Sequence, residues 1–291
     1  MVELEILTED FNMKIIDGGV TAPIGFKAAG AAVGIKKDVK DLAVIASDVP
    51  AVTAATFTTN VVKAASVTRN MELMKNDCKI SGVVINSGNA NACTGEEGVQ
   101  ANIDMAHEYA KLLGVDDSQV LTASTGVIGA TFPIETVKKG INTIFPQMGY
   151  TRNHGLLAAE AIMTTDTYSK EIAVEFEIGG KTIKMGGMAK GSGMIHPNMA
   201  TTLGFVTTDA CITKQMLQKA LSQCVETTFN MVSVDGDTST NDTLAVMANG
   251  MAENKCIDCE NEDYEIFKKA RYTVTEKLAK GVVREGEGAT K

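Results

Sequence analysis

Strand-like and helix-like segments alternate along this chain, and their alternation restricts the possible folds more than any other feature. Five short apolar runs predict strands, at residues 42–46, 82–86, 171–176, 203–207 and 243–247. Five longer runs predict helices, at residues 99–113, 134–144, 154–163, 214–224 and 264–280. The spacing between these segments is irregular, so we expect a mixed α/β fold and not a repeated βαβ array.

The composition is that of a globular protein, with 44% hydrophobic and 22% charged residues among 291. This length permits one large domain or two moderate ones around a sizeable core. A net charge of −9 without a basic stripe argues against nucleic acid as a partner. No apolar run approaches the roughly 18 residues of a membrane span, and the acidic start does not resemble a signal or transit peptide. We therefore expect a cytoplasmic protein that binds neither nucleic acid nor a membrane.

The glycine-rich and cysteine-rich motifs match no nucleotide or metal site. Gly179-Gly-Lys-Thr lacks the earlier glycine of a phosphate loop, since position 175 is glutamate. The run Asp235–Asn241 alternates oxygen ligands like a calcium loop, but Val246 occupies the twelfth position, where glutamate belongs, so a polar turn is favoured. Cys256-Ile-Asp-Cys259 has no second pair and no histidine at ligand spacing. We expect no metal, no cofactor, and structural or incidental cysteines, although the sequence leaves the role of Cys256 and Cys259 open.

A glycine-rich segment from Met185 to Ala200 precedes Thr201 and predicts a long loop that ends at a strand. A small residue before a hydroxyl residue on a constrained loop is what backbone self-cleavage requires. The Thr201 hydroxyl can attack the Ala200 carbonyl, and hydrolysis of the ester frees an α-amine whose ordinary pKa is about 7.7–8.0. That amine can take the proton of its own hydroxyl and so activate a poor nucleophile. Read alone, an Ala-Thr pair in such a loop is most often structural.

A second run, Leu121 to Gly129, places hydroxyls and glycines between apolar stretches. A turn of this kind can form an oxyanion hole from a backbone N–H and a side-chain hydroxyl. The competing interpretation is a Ser/Thr-capped turn that enters a helix at Pro133.

Several motifs occur together in one order, and their combination is more specific than any of them alone. They are Ser124–Gly129, Met163–Thr167, Ala189–Ile195, Pro197–Thr201 and Arg284–Thr290. This set resembles the ornithine acetyltransferases, also called glutamate N-acetyltransferases, of arginine biosynthesis. The runs Asn86–Asn91 and Asp235–Thr238 match as well, and the resemblance extends from about Gly25 onward.

The resemblance implies roles for individual residues of this chain. The chain would cut itself between Ala200 and Thr201, and Thr201 would become the nucleophile. The oxyanion donors would be the Thr125 hydroxyl and the Gly126 backbone N–H. Substrate contacts would come from Thr164, Lys190, Thr201 and Glu287.

The resemblance also implies a fold and an assembly. The fold would be an α/β/β/α sandwich like that of self-processing aminopeptidases. Cleavage would give an α-chain of residues 1–200 and a β-chain that begins at residue 201, here 201–291, and both would share one core. The two chains would form a heterodimer that pairs into a heterotetramer.

The implied reaction is ping-pong acetyl transfer from N2-acetylornithine to glutamate through acetyl-Thr201. Some relatives also use acetyl-CoA as a co-substrate, and the sequence does not decide this. Two other hypotheses stay open: a related N-terminal-nucleophile aminopeptidase or amidase, and an inactive truncated fragment. The family runs considerably further than Lys291, so we expect a C-terminal part to be missing here. A second departure is Thr202, which replaces the apolar residue usual after the nucleophile.

Overall fold

Nine strands and six α-helices form the described part of the chain, residues 12–194 and 202–284, in a computed structural model. The strands are β1 (Lys14–Ile16), β2 (Phe26–Ala31), β3 (Leu42–Phe57), β4 (Ile80–Asn89), β5 (Val120–Val127), β6 (Lys170–Ile178), β7 (Lys181–Lys190), β8 (Leu203–Thr208) and β9 (Thr243–Ala248). The helices are α1 (Ala65–Lys75), α2 (Gly95–Leu113), α3 (Ile134–Ile144), α4 (Arg152–Ala161), α5 (Lys214–Glu226) and α6 (Glu262–Arg284).

The long strand β3 belongs to two sheets. Its first half pairs with β2 and β4, and β5 continues this first sheet as a parallel neighbour of β4. Its second half pairs with β9, and the second sheet continues through β8, β7, β6 and β1. The register shifts between Ala46 and Ala51, where Asp48, Val49 and Pro50 are exposed. Such an irregularity bends a strand, which lets β3 pass from one sheet to the other.

Strand periodicity distributes the apolar side chains over three layers of core. Ala43 and Ile45 face the space between the sheets, whereas Leu42 and Val44 face the outer side of the first sheet. Helices α2 and α3 cover that outer side, with Tyr109 among the residues they bury there. Successive side chains of a strand point to opposite faces, so one strand supplies two cores.

The second sheet follows the same rule. Ala245 and Met247 of β9 face the first sheet, whereas Leu244 and Val246 face helices α5 and α6. The described residues therefore form an α/β/β/α sandwich, as expected from the resemblance. Helix α5 begins where the Thr213 hydroxyl accepts from the N–H of Met216 at 3.4 Å, a typical N-terminal cap.

All ten predicted segments form the predicted type of element, and the 134–144 helix has the predicted bounds. Gly179 and Gly180, both with positive φ, form the hairpin turn between β6 and β7. The predicted loop from Met185 onward is wrong as far as Lys190, because β7 extends to that residue. Its glycines serve close packing: a Cβ on Gly186 would lie 1.9 Å from the carbonyl oxygen of Gly19.

The run Leu121 to Gly129 is also more regular than a turn. Most of it forms β5, which pairs in parallel with β4. Strand β2, helix α1 and the second half of β3 were not predicted either. Across residues 12–194 and 202–284, no helix has both the length and the apolar character that crossing a membrane requires.

Candidate active site

Thr125 and Gly126 lie near the C-terminal end of β5, beside the end of β4. The Thr125 side chain is buried, whereas Gly126 is exposed. Gly126 has a φ of +132°, and a Cβ there would lie 2.3 Å from the carbonyl carbon of Gly88. Only glycine combines this backbone conformation with such a close approach. The strand end thus places a hydroxyl and a backbone amide next to each other, the donor types of an oxyanion hole.

Lys190, the last residue of β7, reaches from the second sheet to Thr125 in the first. Its side chain is buried, and its Nζ donates to Thr125 Oγ1 at 2.9 Å. Burial lowers the pKa of Lys190, and the charges of Asp166 and Asp242 offset part of this effect. Because the Thr125 oxygen accepts from Lys190, its own O–H is directed to another acceptor. The contact therefore orients the hydroxyl that was predicted to stabilise an oxyanion.

Asp166 connects this contact to the Thr164 segment. Its carboxylate accepts from Lys170 Nζ at 2.7 Å, from the N–H of Gly191 at 2.8 Å and from the N–H of Thr164 at 3.0 Å. Burial alone would raise the pKa of Asp166, but Lys190, Lys170 and these hydrogen bonds outweigh it and hold the pKa below its ordinary value. Asp166 thus fixes the end of β7 and the backbone of Thr164 in one arrangement.

A second buried carboxylate, Asp242, fixes the residue that follows the predicted nucleophile. Asp242 Oδ1 accepts from the N–H of Thr202 at 3.0 Å, and the Thr202 carbonyl accepts from the N–H of Thr243 at 3.1 Å. Next to it, the Asn241 side chain donates to the carbonyl of Ser124 at 2.8 Å. The start of β8 is therefore tied to the strand that carries Thr125.

Lys36 approaches the same site from the segment between β2 and β3. Its Nζ donates to the carbonyl of Met163 at 2.7 Å, directly before Thr164. Its stem lies over Gly88, where a Cβ would come within 2.6 Å of Lys36 Cγ. Burial lowers the pKa of Lys36, and the charges of Asp41 and Asp166 partly offset this. A half-buried ammonium group thus lies between the Gly126 strand end and Thr164.

The structure brings together the predicted site residues that it describes. Thr125, Gly126, Lys190 and Thr164 form one contiguous site around Asp166. The other predicted site residues, Ala200, Thr201 and Glu287, lie outside the described residues. Their roles stay predictions.

The sequence interpretation did not single out Asp166, Asp242 or Lys36. Asp166 stands inside the Thr-Thr-Asp-Thr run, and Asp242 directly follows the polar run Asp235–Asn241, so both had a signal nearby. Nothing in the sequence pointed to Lys36, because the carbonyl to which its ammonium group donates, that of Met163, is 127 residues away.

Cys256 lies beside Cys211 and not in an isolated Cys-x-x-Cys unit. The N–H of Ile257 donates to the carbonyl of Cys211 at 3.0 Å, in a parallel bridge between Ile212 and Ile257. Burial and the neighbouring Cys211 thiol raise the pKa of Cys256 to about 11. A thiol held protonated in this way is a poor nucleophile.

The sequence is similar to a family of known proteins. The ArgJ family model matches residues 27–291. The arginine biosynthesis bifunctional protein ArgJ of Caldanaerobacter subterraneus subsp. tengcongensis is 51% identical over 279 residues, which are 96% of this chain and 68% of that protein.

Comparison with solved structures agrees. The structure of ornithine acetyltransferase complexed with ornithine, from Mycobacterium tuberculosis, has a TM-score of 0.59 at 33% identity and covers 66% of this chain and 100% of that one. An L-aminopeptidase D-Ala-esterase/amidase from Ochrobactrum anthropi, described as a variant of the Ntn hydrolase fold, has a TM-score of 0.57 at 12% identity and covers 94% of this chain and 88% of that one. The latter likeness concerns the fold alone.

Proposed function

Because the chain belongs to the ArgJ family, we propose that it transfers an acetyl group from N2-acetylornithine to glutamate through a covalent threonine intermediate. The observation that carries the proposal is the buried contact between Lys190 and Thr125, beside Gly126 and the start of β8. The names of the relatives, with their reference to arginine biosynthesis and ornithine, support the choice of reaction.

The first step of the proposal is self-cleavage between Ala200 and Thr201. The Thr201 hydroxyl attacks the Ala200 carbonyl, the peptide shifts to an ester, and water releases residue 201 as a new N-terminus. Its amine then takes the hydroxyl proton when the next carbonyl is attacked. The anchoring of Thr202 by Asp242 supports this step, because it holds the backbone directly after the proposed cleavage site.

Acetyl transfer then follows in two halves. Thr201 attacks the acetyl carbonyl of N2-acetylornithine, ornithine leaves with a proton, and acetyl-Thr201 remains. The amine of glutamate attacks this ester, the bond to the Thr201 oxygen breaks, and that oxygen receives the amine's proton. N-acetylglutamate departs and the Thr201 hydroxyl is restored. Each half passes through a tetrahedral oxyanion, for which the Thr125 hydroxyl and the Gly126 N–H are the proposed donors.

Other parts of the proposal concern binding and assembly. Thr164, Lys190, Thr201 and Glu287 are proposed as substrate contacts, and acetyl-CoA as a possible second acetyl donor. No step requires a metal ion or a resident cofactor. The cleaved α- and β-chains would stay together as a heterodimer and associate into a heterotetramer, in the cytoplasm.

Intact mass measurement tests the cleavage step. The purified protein should give two pieces, residues 1–200 and 201–291, and Thr201→Ala should give one uncut chain. Cleavage at any other bond, or cleavage of Thr201→Ala, would contradict the assignment of the nucleophile.

A labelled donor tests the acceptor. With N2-acetylornithine that carries a labelled acetyl group, the label should appear on Thr201 and then on added glutamate. Release as free acetate, with none on glutamate, would instead indicate a hydrolase.

A further inference from the structure

Lys36 is the one lysine of the three around Asp166 that combines a charge at the site with access to solvent. The side chains of Lys170 and Lys190 are almost fully buried, at 3% exposure each, and their ammonium groups donate to Asp166 and Thr125 respectively. Lys36 is only half-buried. A bound substrate can therefore reach its ammonium group without displacing a buried contact.

The backbone that carries Lys36 is held rigidly. The buried carboxylate of Asp41 accepts four consecutive N–H groups, from Val33 at 2.7 Å, Gly34 at 3.1 Å, Ile35 at 2.6 Å and Lys36 at 2.8 Å. One carboxylate thus fixes the whole turn that presents the lysine. A preorganised cation loses less conformational freedom when it binds a ligand.

The Lys36 side chain lies close both to the proposed oxyanion donor and to a proposed substrate contact. Its stem crosses Gly88, which pairs with Gly126 across β4 and β5. Its Nζ ends at the carbonyl of Met163, next to Thr164. An ammonium group has three donors, so the Met163 carbonyl does not exhaust its capacity.

We propose that Lys36 binds the α-carboxylate of the amino-acid substrate. This inference rests on the proposed function, in which both substrates carry that carboxylate next to the acetylated or attacking nitrogen. Pairing at Lys36 places the carboxylate between the Gly126 strand end and Thr164. It also leaves the buried contact between Lys190 and Thr125 intact. Lys36 thereby becomes the residue that distinguishes amino acids from simple amines.

Two ligands that differ only in the carboxylate provide the test. Ornithine and 1,4-diaminobutane carry no acetyl group, so calorimetric titration measures binding without chemistry. The protein should bind ornithine at least about tenfold more tightly than the diamine, as expected for a charge-assisted contact. Lys36→Met should weaken ornithine binding to the level of the diamine and leave diamine binding unchanged.

Two further variants separate a carboxylate contact from a structural role. Lys36→Arg keeps the charge and should keep a preference for ornithine, and Lys37→Met, at an exposed neighbouring lysine, should behave like the unsubstituted protein. The proposal is overturned if Lys36→Met retains the preference, or if the protein shows none. It is also overturned if both ligands weaken equally, since Lys36 would then act only through the Met163 carbonyl.

The same protein samples keep the two hypotheses distinguishable. Intact mass reports self-cleavage and acetyl-Thr201 on each variant, independently of the titrations. A preference for ornithine that depends on Lys36, without acetyl transfer, would support the carboxylate site and contradict the acetyltransferase. Acetyl transfer to glutamate, without a preference for ornithine that depends on Lys36, would support the acetyltransferase and contradict the carboxylate site.

Discussion

At the scale of single residues, the site depends on buried polar groups whose partners come from distant parts of the chain. Lys190 and Thr125 are 65 positions apart, and Asp166 joins the Thr164 segment to the end of β7. Groups of this kind are costly to bury unless they are paired, so each carboxylate and lysine stabilises the position of its neighbours. Substitutions here should therefore affect geometry and chemistry together.

Removing the Thr125 hydroxyl should slow acetyl transfer. Thr125→Val deletes one proposed oxyanion donor, and we expect formation of acetyl-Thr201 to slow by about 10²–10³-fold. Thr125→Ser should retain most of the rate because it retains the hydroxyl. Thr122→Val is a matched control, since Thr122 is buried on the same strand and its hydroxyl has no partner among the described residues. Equal losses for Thr122→Val and Thr125→Val would point to a packing effect.

Because of Asp166, the free energy of unfolding should decrease as the pH is lowered into the acid range. The pKa of Asp166 is lowered in the folded state, so the unfolded chain binds more protons between the two pKa values. Its contribution is present above the unfolded value of about 3.9 and is lost as the pH falls through the folded value. Asp166→Asn should cost about 3–5 kcal/mol at pH 7, because it leaves buried lysines without their counter-charge.

Urea unfolding at several pH values would check this prediction. Below about pH 4 the unsubstituted protein should lose stability more steeply than Asp166→Asn. Asp38→Asn, at an exposed carboxylate, should follow the unsubstituted protein. Parallel pH curves for all three proteins would argue against a lowered pKa at Asp166.

At the scale of elements, close approach between strands fixes the ends that carry the site. Gly126 and Gly88 face each other in neighbouring strands, both with positive φ. Helix α6 instead buries a large charged group. Arg271 is the largest fully buried side chain among the described residues. Its Nε and Nη2 atoms have no hydrogen-bond partner within the part of the chain that the structure describes.

Alanine at two glycines should separate backbone strain from steric overlap. Gly129 has a φ of +78° with nothing within 4 Å of an added Cβ, so Gly129→Ala should cost about 1–2 kcal/mol of unfolding free energy. Gly126→Ala adds contact with backbone atoms of Gly88 and Asn89, and it should cost clearly more. Denaturant unfolding measures both, and equal costs would mean that β4 and β5 move apart easily.

Replacing Arg271 should stabilise the protein. Burial lowers the pKa of Arg271 to about 10, and the guanidinium donates to Thr275. Arg271→Met removes a poorly satisfied charge and keeps the apolar stem, so we expect a gain of about 1–4 kcal/mol. Lys277→Met, exposed on the same helix, should change the unfolding free energy by less than about 0.5 kcal/mol. A loss of stability in Arg271→Met would show that the guanidinium has a partner in solution.

Sequence patterns predicted the elements whose periodicity is clear and missed those whose composition misleads. The 134–144 helix has a regular apolar face, and its bounds agree with the structure. Strands β5 and β7 contain glycines and hydroxyls that favour turns locally, but pairing with β4, β6 and β8 outweighs that preference. The site residues were predicted from motifs, whereas the Lys190–Thr125 contact and the role of Asp166 depend on tertiary packing.

At the scale of the whole molecule, the two sheets are joined through β3. Strands β8 and β9, which both follow position 201, lie between β7 and β3 and so occupy the middle of the second sheet. Helix α6 packs on the same sheet and buries Phe267, Val274 and Leu278 in its core. A cut before residue 201 would break the covalent connection, but the two pieces would still be held together in the shared sheet and core.

The two pieces should therefore remain one particle after cleavage. Residues 1–200 and 201–291 should elute together in size-exclusion chromatography and separate only in denaturant, because separation exposes both faces of the second sheet. The uncut Thr201→Ala protein provides the reference elution volume. Dissociation on simple dilution would contradict this prediction.

The pairing of β3 with β9 also sets an order of events during synthesis. The segment Val52–Phe57 of β3 cannot pair until Thr243–Ala248 of β9 has been synthesised, about 190 residues later. At about 5–20 residues per second, this interval lasts on the order of 10–40 s. Until then the sheet that carries Lys190 has no strand to connect it with the sheet that carries Thr125. A nascent chain that lacks β9 therefore lacks the arrangement proposed for self-cleavage. Translation itself delays the cut until the strands that hold the two pieces together have been synthesised.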